Sequence, residues 1–197
     1  MAILKTNPIL ITGKWAQGYA LDIQTLHSEF LGYDDWGHKR FDTTRTDVGE
    51  AVYKLKYDQN ANFVQDLADT SAAFVRAWKC GINVIIPVPS SKQRAVSPVV
   101  TVGKAVAAQL GCAFAEQAVA RTQQLPELKS IEDPAERERL LAGAHSFDAR
   151  QVRGCRVLLF DDLYRSGATM NSVTDGLIKN GAVAVFALAM TKTRSNR

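Results

Sequence analysis

The sequence predicts an α/β chain: a mostly parallel sheet with helices on both faces, preceded by a small antiparallel strand-rich segment. Three observations carry this. Ile82 to Val88 is an apolar run broken only by Asn83, and Val157 to Phe160 is wholly apolar; neither alternates, as strands buried on both faces require. Between and after them lie segments whose apolar residues recur at helical spacing. The resulting order is strand–helix–strand, a long polar stretch, then strand–helix–strand, which implies parallel pairing through crossovers.

The elements follow in chain order. Residues 1–46 are rich in Thr, Gly, Trp and Tyr and alternate in part, as in Tyr19-Ala20-Leu21-Asp22-Ile23-Gln24. They predict short antiparallel strands, with Gly18 or Ala16-Gln17 as candidate turns. Phe41 to Thr46 reads as a polar loop, and Asp47 as the cap of a short helix carrying Val48, Val52 and Leu55. Residues 47–197 form the second unit. Phe63, Leu67, Phe74 and Trp78 share a helical stripe that Gly81 ends, and the strand Ile82 to Val88 follows. Ser97-Pro98 is a cap followed by a first-turn proline, opening a helix with Val99, Val102, Val106 and Leu110 in register that stops at Gly111. A weaker strand is expected over Ala113 to Val119, and the buried apolar strand Cys155 to Phe160 follows the polar stretch. Met170, Val173, Leu177 and Ile178 then mark a helix closed by Gly181, and Val183 to Thr191 is the last strand.

Composition narrows the function classes. The chain has 197 residues, 46% of them hydrophobic, enough for one sizeable core. The net charge of +4 is spread along the chain apart from the basic end Lys192 to Arg197, so phosphate or nucleic-acid binding is permitted but not demanded. Cys80, Cys112 and Cys155 are far apart and form no CxxC pair, which indicates free thiols in a reducing compartment and no zinc ribbon. The start of the chain has no signal-peptide core, and the longest apolar run, Gly181 to Met190, falls short of the ~20 residues that cross a bilayer. A cytoplasmic protein without a membrane partner is expected.

The chemistry concentrates in Val157 to Thr169. A buried strand is expected to end in Asp161-Asp162, and Leu163-Tyr164-Arg165-Ser166-Gly167-Ala168-Thr169 leads into a helix. Paired carboxylates suit hydroxyl donors or a hard cation such as Mg²⁺, held directly or through water. Gly167 lets the backbone approach an anion, Ser166 and Thr169 offer hydroxyls, and the helix start favours negative charge. A ligand with vicinal hydroxyls and a phosphate matches all three, and a phosphorylated ribose is one. Strands of open α/β sheets bind ligands beyond their carboxyl ends, where Pro87-Val88-Pro89-Ser90-Ser91-Lys92-Gln93-Arg94 also falls.

Val157 to Thr169 resembles the phosphoribosyl-pyrophosphate (PRPP) motif of the type I phosphoribosyltransferases. The resemblance implies that fold, with Asp161 and Asp162 on the ribose hydroxyls. It places the 5-phosphate on Tyr164, Arg165, Ser166, Gly167, Ala168 and Thr169. The loop with Ser90, Ser91 and Lys92 would hold the pyrophosphate, and Mg²⁺ would accompany it. Leu55-Lys56-Tyr57 and Pro87-Val88-Pro89 resemble the ComF-like group, as do Arg121-Thr122-Gln123-Gln124 and Gly143 to Phe147 more loosely. The zinc-binding cysteines of many ComF-type proteins are absent from the first 46 residues. Purine-salvage members carry an acid at the place of Arg165.

The polar stretch Arg121 to Phe147 reads as a flap over the site. Arg121, Lys129, Arg137 and Arg139 are pyrophosphate candidates, with a solvated helix holding pairs such as Glu132–Arg137 or Glu136–Arg139 the favoured reading residue by residue. Trp15, Tyr19, His27, Tyr33, Trp36 and His38 suit either an aromatic hood over an acceptor base or ordinary packing of a small sheet, and packing is favoured. The expected activity is transfer of the phosphoribosyl group from PRPP to a nitrogenous acceptor with release of pyrophosphate. A non-catalytic PRPP or nucleotide sensor and an accessory DNA-uptake protein remain as alternatives. A homodimer and a nucleic-acid partner stay open.

Overall fold

The computed structural model describes residues 3–58, 60–90, 97–122, 133 and 143–194. Its centre is a six-stranded sheet. In chain order the strands are β1 (Ile9–Leu10), β2 (Gln17–Ile23), β5 (Val84–Pro87), β6 (Ala113–Phe114), β9 (Arg156–Tyr164) and β10 (Ala184–Lys192). Across the sheet they stand β1-β2-β10-β9-β5-β6, and every pairing is parallel except β1 with β2. Two antiparallel pairs stand apart from it: β3 (Thr25–Tyr33) with β4 (Lys39–Arg45), and β7 (Val119–Arg121) with β8 (His145–Phe147).

Helices cover both faces. On one lie α1 (Asp47–Tyr57), α2 (Asn62–Trp78) and α3 (Pro98–Leu110); on the other lie α4 (Ala149–Val152) and α5 (Ala168–Lys179). The pleat of β9 supplies each core in turn. Leu158 and Phe160 pack with Leu55, Leu67, Val75, Val102 and Val106, while Val157 and Leu159 pack with Val152, Met170, Val173 and Leu177. All four β9 residues are fully buried, which is why that strand reads as a continuous apolar run.

Local differences from the sequence expectations have physical causes. Tyr19 to Ile23 is a strand, but its long partner is β10 and the pairing is parallel, so residues 9–23 belong to the central sheet. Partial burial of β2 produces the same alternation in either direction. Gly18 lies inside β2, where a Cβ would strike the indole of Trp15; the turn between β3 and β4 is made by Asp34 to Gly37. Phe41 to Arg45 is strand rather than loop. The cap of α1 is Thr46, which accepts from Gly49 N–H and donates to the Ile23 carbonyl at 2.7 Å; Asp47 is the first helical residue. The Ala113 to Val119 strand is two short ones, and the second pairs with β8 away from the sheet.

Candidate functional site

β9 does not stop at the acid pair. It continues to Tyr164, because β10 follows it through the pairs Ala189–Asp161, Thr191–Leu163 and Lys192–Tyr164. What ends is its other neighbour. The pairing with β5 stops at Pro87–Phe160, closed by Val88 N–H donating to the Phe160 carbonyl at 2.9 Å. Asp161 and Asp162 therefore sit on a supported strand with one open flank, and the loop that begins at Pro89-Ser90 leaves the sheet beside that flank.

The alternation that buries Leu159 and Phe160 on opposite faces also separates the two carboxyls. Asp162 follows Phe160 toward α1, where the ammonium of Lys56 meets its Oδ2 at 2.5 Å. Both side chains of this pair are more than four-fifths shielded, so the ion pair is screened little by solvent. Asp161 takes the α5 side. Its Oδ1 accepts the N–H of Asp162 at 2.8 Å, one of the backbone groups left without a β5 partner. Burial pushes the Asp161 carboxyl well above the ordinary range, and the charge of Asp162 adds to that rise. The Asp162 and Leu163 N–H groups and the Lys56 ammonium oppose it. The Thr191 hydroxyl donates to the Asp162 carbonyl at 2.8 Å and fixes the backbone just after the acids.

The loop behind the acids is compact. Arg165 and Ser166 are exposed, while Gly167 is buried with φ +73° and precedes the first residue of α5. The cap position is Gly167, and among the described residues no side chain caps the helix, so its first N–H groups face the loop. A Cβ on Gly167 would come within 2.8 Å of the Tyr164 ring, so glycine is required for close packing as well as for backbone sign. Tyr164 in turn donates to the Thr12 carbonyl at 3.3 Å and meets Trp15 edge-on at 6.2 Å. The same β1–β2 loop grips α5, through Lys14 N–H on Asn171 Oδ1 at 2.8 Å and the Lys14 ammonium on Asp175 at 2.5 Å.

Several expected contributors lie elsewhere. Ser90 is exposed at the start of the β5 loop, and Ser91, Lys92 and Arg94 lie outside the described residues, as do Lys129, Arg137 and Arg139. Arg121 is described and pairs across β7–β8 with His145. Burial lowers the affinity of both side chains for a proton, and Arg121 lowers that of His145 further. Trp15 is a core residue and Tyr19 packs edge-on against Phe74 and Trp78, whereas Tyr33, Trp36, His27 and His38 stand exposed on the β3–β4 hairpin. Lys56 and the Thr12–Lys14 loop were not singled out as site residues in the sequence. Lys56 carried a signal, since it is a lysine on the flank of an amphipathic helix; the Thr12–Lys14 loop has no periodicity to reveal it.

Among the described residues no group of three or more His, Cys, Asp or Glu side chains converges to hold a metal. The acids still offer one carboxylate on each face of β9 beside the open flank. That donor set suits Mg²⁺, which commonly takes one or two carboxylates and completes its shell with water and ligand phosphates.

No protein-family model matches the chain, and no curated protein does. Solved structures do. A glutamine phosphoribosylpyrophosphate (PRPP) amidotransferase from B. subtilis, complexed with ADP and GMP, aligns with a TM-score of 0.51 at 16% identity; the alignment covers 80% of this chain and 34% of that one. An APRTase from Giardia lamblia complexed with 9-deazaadenine gives 0.48 at 12% identity over 85% of this chain and 94% of the other. The adenine phosphoribosyltransferase of Thermoanaerobacter pseudethanolicus gives 0.47 at 15% identity over 83% and 94%. The amidotransferase match shows a shared fold: a mostly parallel sheet covered on both faces, as expected from the sequence, with small antiparallel pairs beside it.

Proposed function

We propose that the chain binds PRPP together with Mg²⁺ and transfers its phosphoribosyl group to a nitrogenous acceptor, releasing pyrophosphate. One observation carries the reading. Two carboxylates leave β9 where β5 ends, a few residues before a left-handed glycine and an uncapped helix start. Hydroxyl-binding and anion-binding groups thus lie within one strand–loop–helix unit. Asp161 and Asp162 would accept from the ribose hydroxyls. Tyr164 to Thr169 would hold the 5-phosphate, with backbone N–H groups as the main donors. The β5 loop, with Ser90, Ser91 and Lys92, would receive the pyrophosphate. Leu55-Lys56-Tyr57 and Pro87-Val88-Pro89 support placement in the ComF-like group. Free Cys80, Cys112 and Cys155 support a reducing, cytoplasmic setting. Among the described residues no helix is long and apolar enough to cross a membrane.

In the reaction the acceptor nitrogen forms a bond to C1 of the ribose while the bond from C1 to the pyrophosphate oxygen breaks, and the nitrogen loses its proton to solvent. Catalysis is positioning and electrostatics. Lys56 restrains the Asp162 carboxylate, Thr191 fixes the backbone behind it, and the Thr12–Lys14 loop braces α5 beneath the phosphate. Mg²⁺, when bound, would offset charge on the leaving pyrophosphate, with Asp161 and Asp162 as the protein's donors, directly or through water. Donor binding without transfer is the second reading. It is favoured by Arg165, an exposed cation where purine-salvage enzymes place an acid.

Calorimetry with PRPP and Mg²⁺ tests the reading. Asp161→Asn/Asp162→Asn is expected to weaken binding at least about tenfold, the loss of roughly one charge-assisted hydrogen bond. Equal binding by wild type and double variant overturns it. Pyrophosphate release that depends on an added nitrogenous acceptor then separates transferase from binder.

A further inference from the structure

The β3–β4 hairpin is the least buried part of the described fold. It leaves the sheet at Ile23, is tied at its base by Thr46, and is exposed along nearly its whole length. Such a ribbon is marginal on its own. Yet it displays large apolar side chains: Phe30 packs on Phe41 and Tyr33, and these three remain 48%, 54% and 63% exposed. Leu26 and Leu31 are exposed beside them. Residues 25–45 hold three Lys or Arg against four Asp or Glu, so the ribbon has no excess positive charge to attract a polyanion. In the described fold β3 pairs with β4 alone, and its other strand edge is open apart from the Leu26 carbonyl, which accepts from the Arg194 guanidinium at 2.6 Å.

The order of residues on that edge indicates what covers it. His27-Ser28-Glu29 is complementary to its own reverse. Laid antiparallel against a second copy with Ser28 opposite Ser28, it sets His27 opposite Glu29 twice. Directly opposed residues share a face, and His27 to Phe30 pair with β4 without a shift, so the result respects the pleat. Leu26 is the extra residue of a β-bulge between Thr25 and His27 and lies outside this pairing. His27 and Glu29 already share a face within the chain, 4.0 Å apart, and the hydroxyls of Ser28 and Thr43 meet on the other at 3.0 Å. A copy shifted by two residues would place Glu29 opposite Glu29 or His27 opposite His27 and lose both pairs.

We infer that β3 joins, edge to edge and antiparallel, the β3 strand of a second copy of this chain, forming a four-stranded ribbon with a two-fold axis through Ser28. His27 then meets the partner's Glu29 on both sides of the axis. The contact is isologous and closed, so it yields a dimer and not a fibre. Its small size makes that dimer concentration-dependent.

Sedimentation velocity on the full chain over rising concentration is expected to show reversible dimerisation. His27→Glu opposes like charges twice across the axis, and Glu29→Lys removes the carboxylate that each His27 meets; each should weaken it about tenfold. The double variant His27→Glu/Glu29→Lys restores opposed charges and should dimerise again. Under mild oxidation Ser28→Cys should cross-link into a covalent dimer, because opposed Cα atoms in an antiparallel pair stand about 4.5–5.5 Å apart, within disulfide range. Thr43→Cys, on the strand away from the axis, should not, with the native thiols measured alongside as background. A monomer at all concentrations overturns the inference. So does a dimer indifferent to both charge reversals, or a Ser28→Cys variant that cross-links no faster than Thr43→Cys. None of these outcomes depends on PRPP binding.

Discussion

Asp161 is held in its folded position at a cost. Its carboxyl is buried beside another carboxylate, which raises its proton affinity well above that of an exposed Asp. Such a group contributes its full stability only below its ordinary unfolded value and loses it as pH rises through the raised folded value. Asp161→Asn removes that loss. The variant is therefore expected to be more stable than wild type at neutral pH, with the difference closing as pH falls toward 4, measured by urea unfolding across that range. Ribose hydroxyls donating to Asp161 favour its ionised form, so PRPP binding should release a proton. Affinity should then rise with pH through the raised value and level off above it. Calorimetry in buffers of different ionisation enthalpy checks the sign; proton uptake would contradict it. Lys56 and Asp162 form a shielded pair, and removing one partner strands the other. Lys56→Met should cost about 1–3 kcal/mol, and adding Asp162→Asn should recover part of it, as a double-mutant cycle in denaturant would show.

At the scale of elements, the strand–loop–helix unit was legible because each part has its own signature: a fully buried β9, an acid pair, a glycine and an amphipathic α5. Its connections were not. That β9 outlasts β5 depends on where β10 ends, and a continuous apolar run does not report which of its two neighbours stops first. The cap of α5 is hidden for a related reason. Ser166 is a good cap by type, but the Tyr164 ring against Gly167 draws the turn one residue further. Gly167→Ala should accordingly destabilise the fold by about 1–3 kcal/mol through the left-handed backbone and the ring contact, and weaken binding of a phosphate ligand as well. Gly176 marks a second close approach, since a Cβ there would overlap the Phe147 ring of β8. Gly176→Ala is expected to lower Tm by several degrees, and Phe147→Ala in the same chain should relieve the clash while leaving its own cavity. Tm values below either single variant would show that helix and ribbon do not share this contact.

Over the whole molecule, the parallel sheet could be read because burial on both faces leaves a distinct pattern, and helical stripes between the strands leave another. The N-terminal third was harder. Partial burial makes β2 alternate like an antiparallel strand, and only its long-range pairing with β10 assigns it to the central sheet. The hairpin that follows carries aromatics that local sequence cannot sort into core and surface; Trp15 and Tyr19 are packed, while Tyr33 and Trp36 are not. Lys56 reaches Asp162 across 106 positions of chain, a contact set by the fold and not by spacing.

The central claim is that one unit, Asp161 to Thr169, binds the ribose and its 5-phosphate. Phosphorus NMR of PRPP with Mg²⁺, titrated with the protein, tests it most directly because each phosphate has its own resonance. The account predicts that the 5-phosphate resonance shifts or broadens with wild type and needs at least about tenfold more protein to move with Gly167→Ala or with Asp161→Asn/Asp162→Asn. A 5-phosphate resonance untouched by wild type, or perturbed equally by all three proteins, would contradict it.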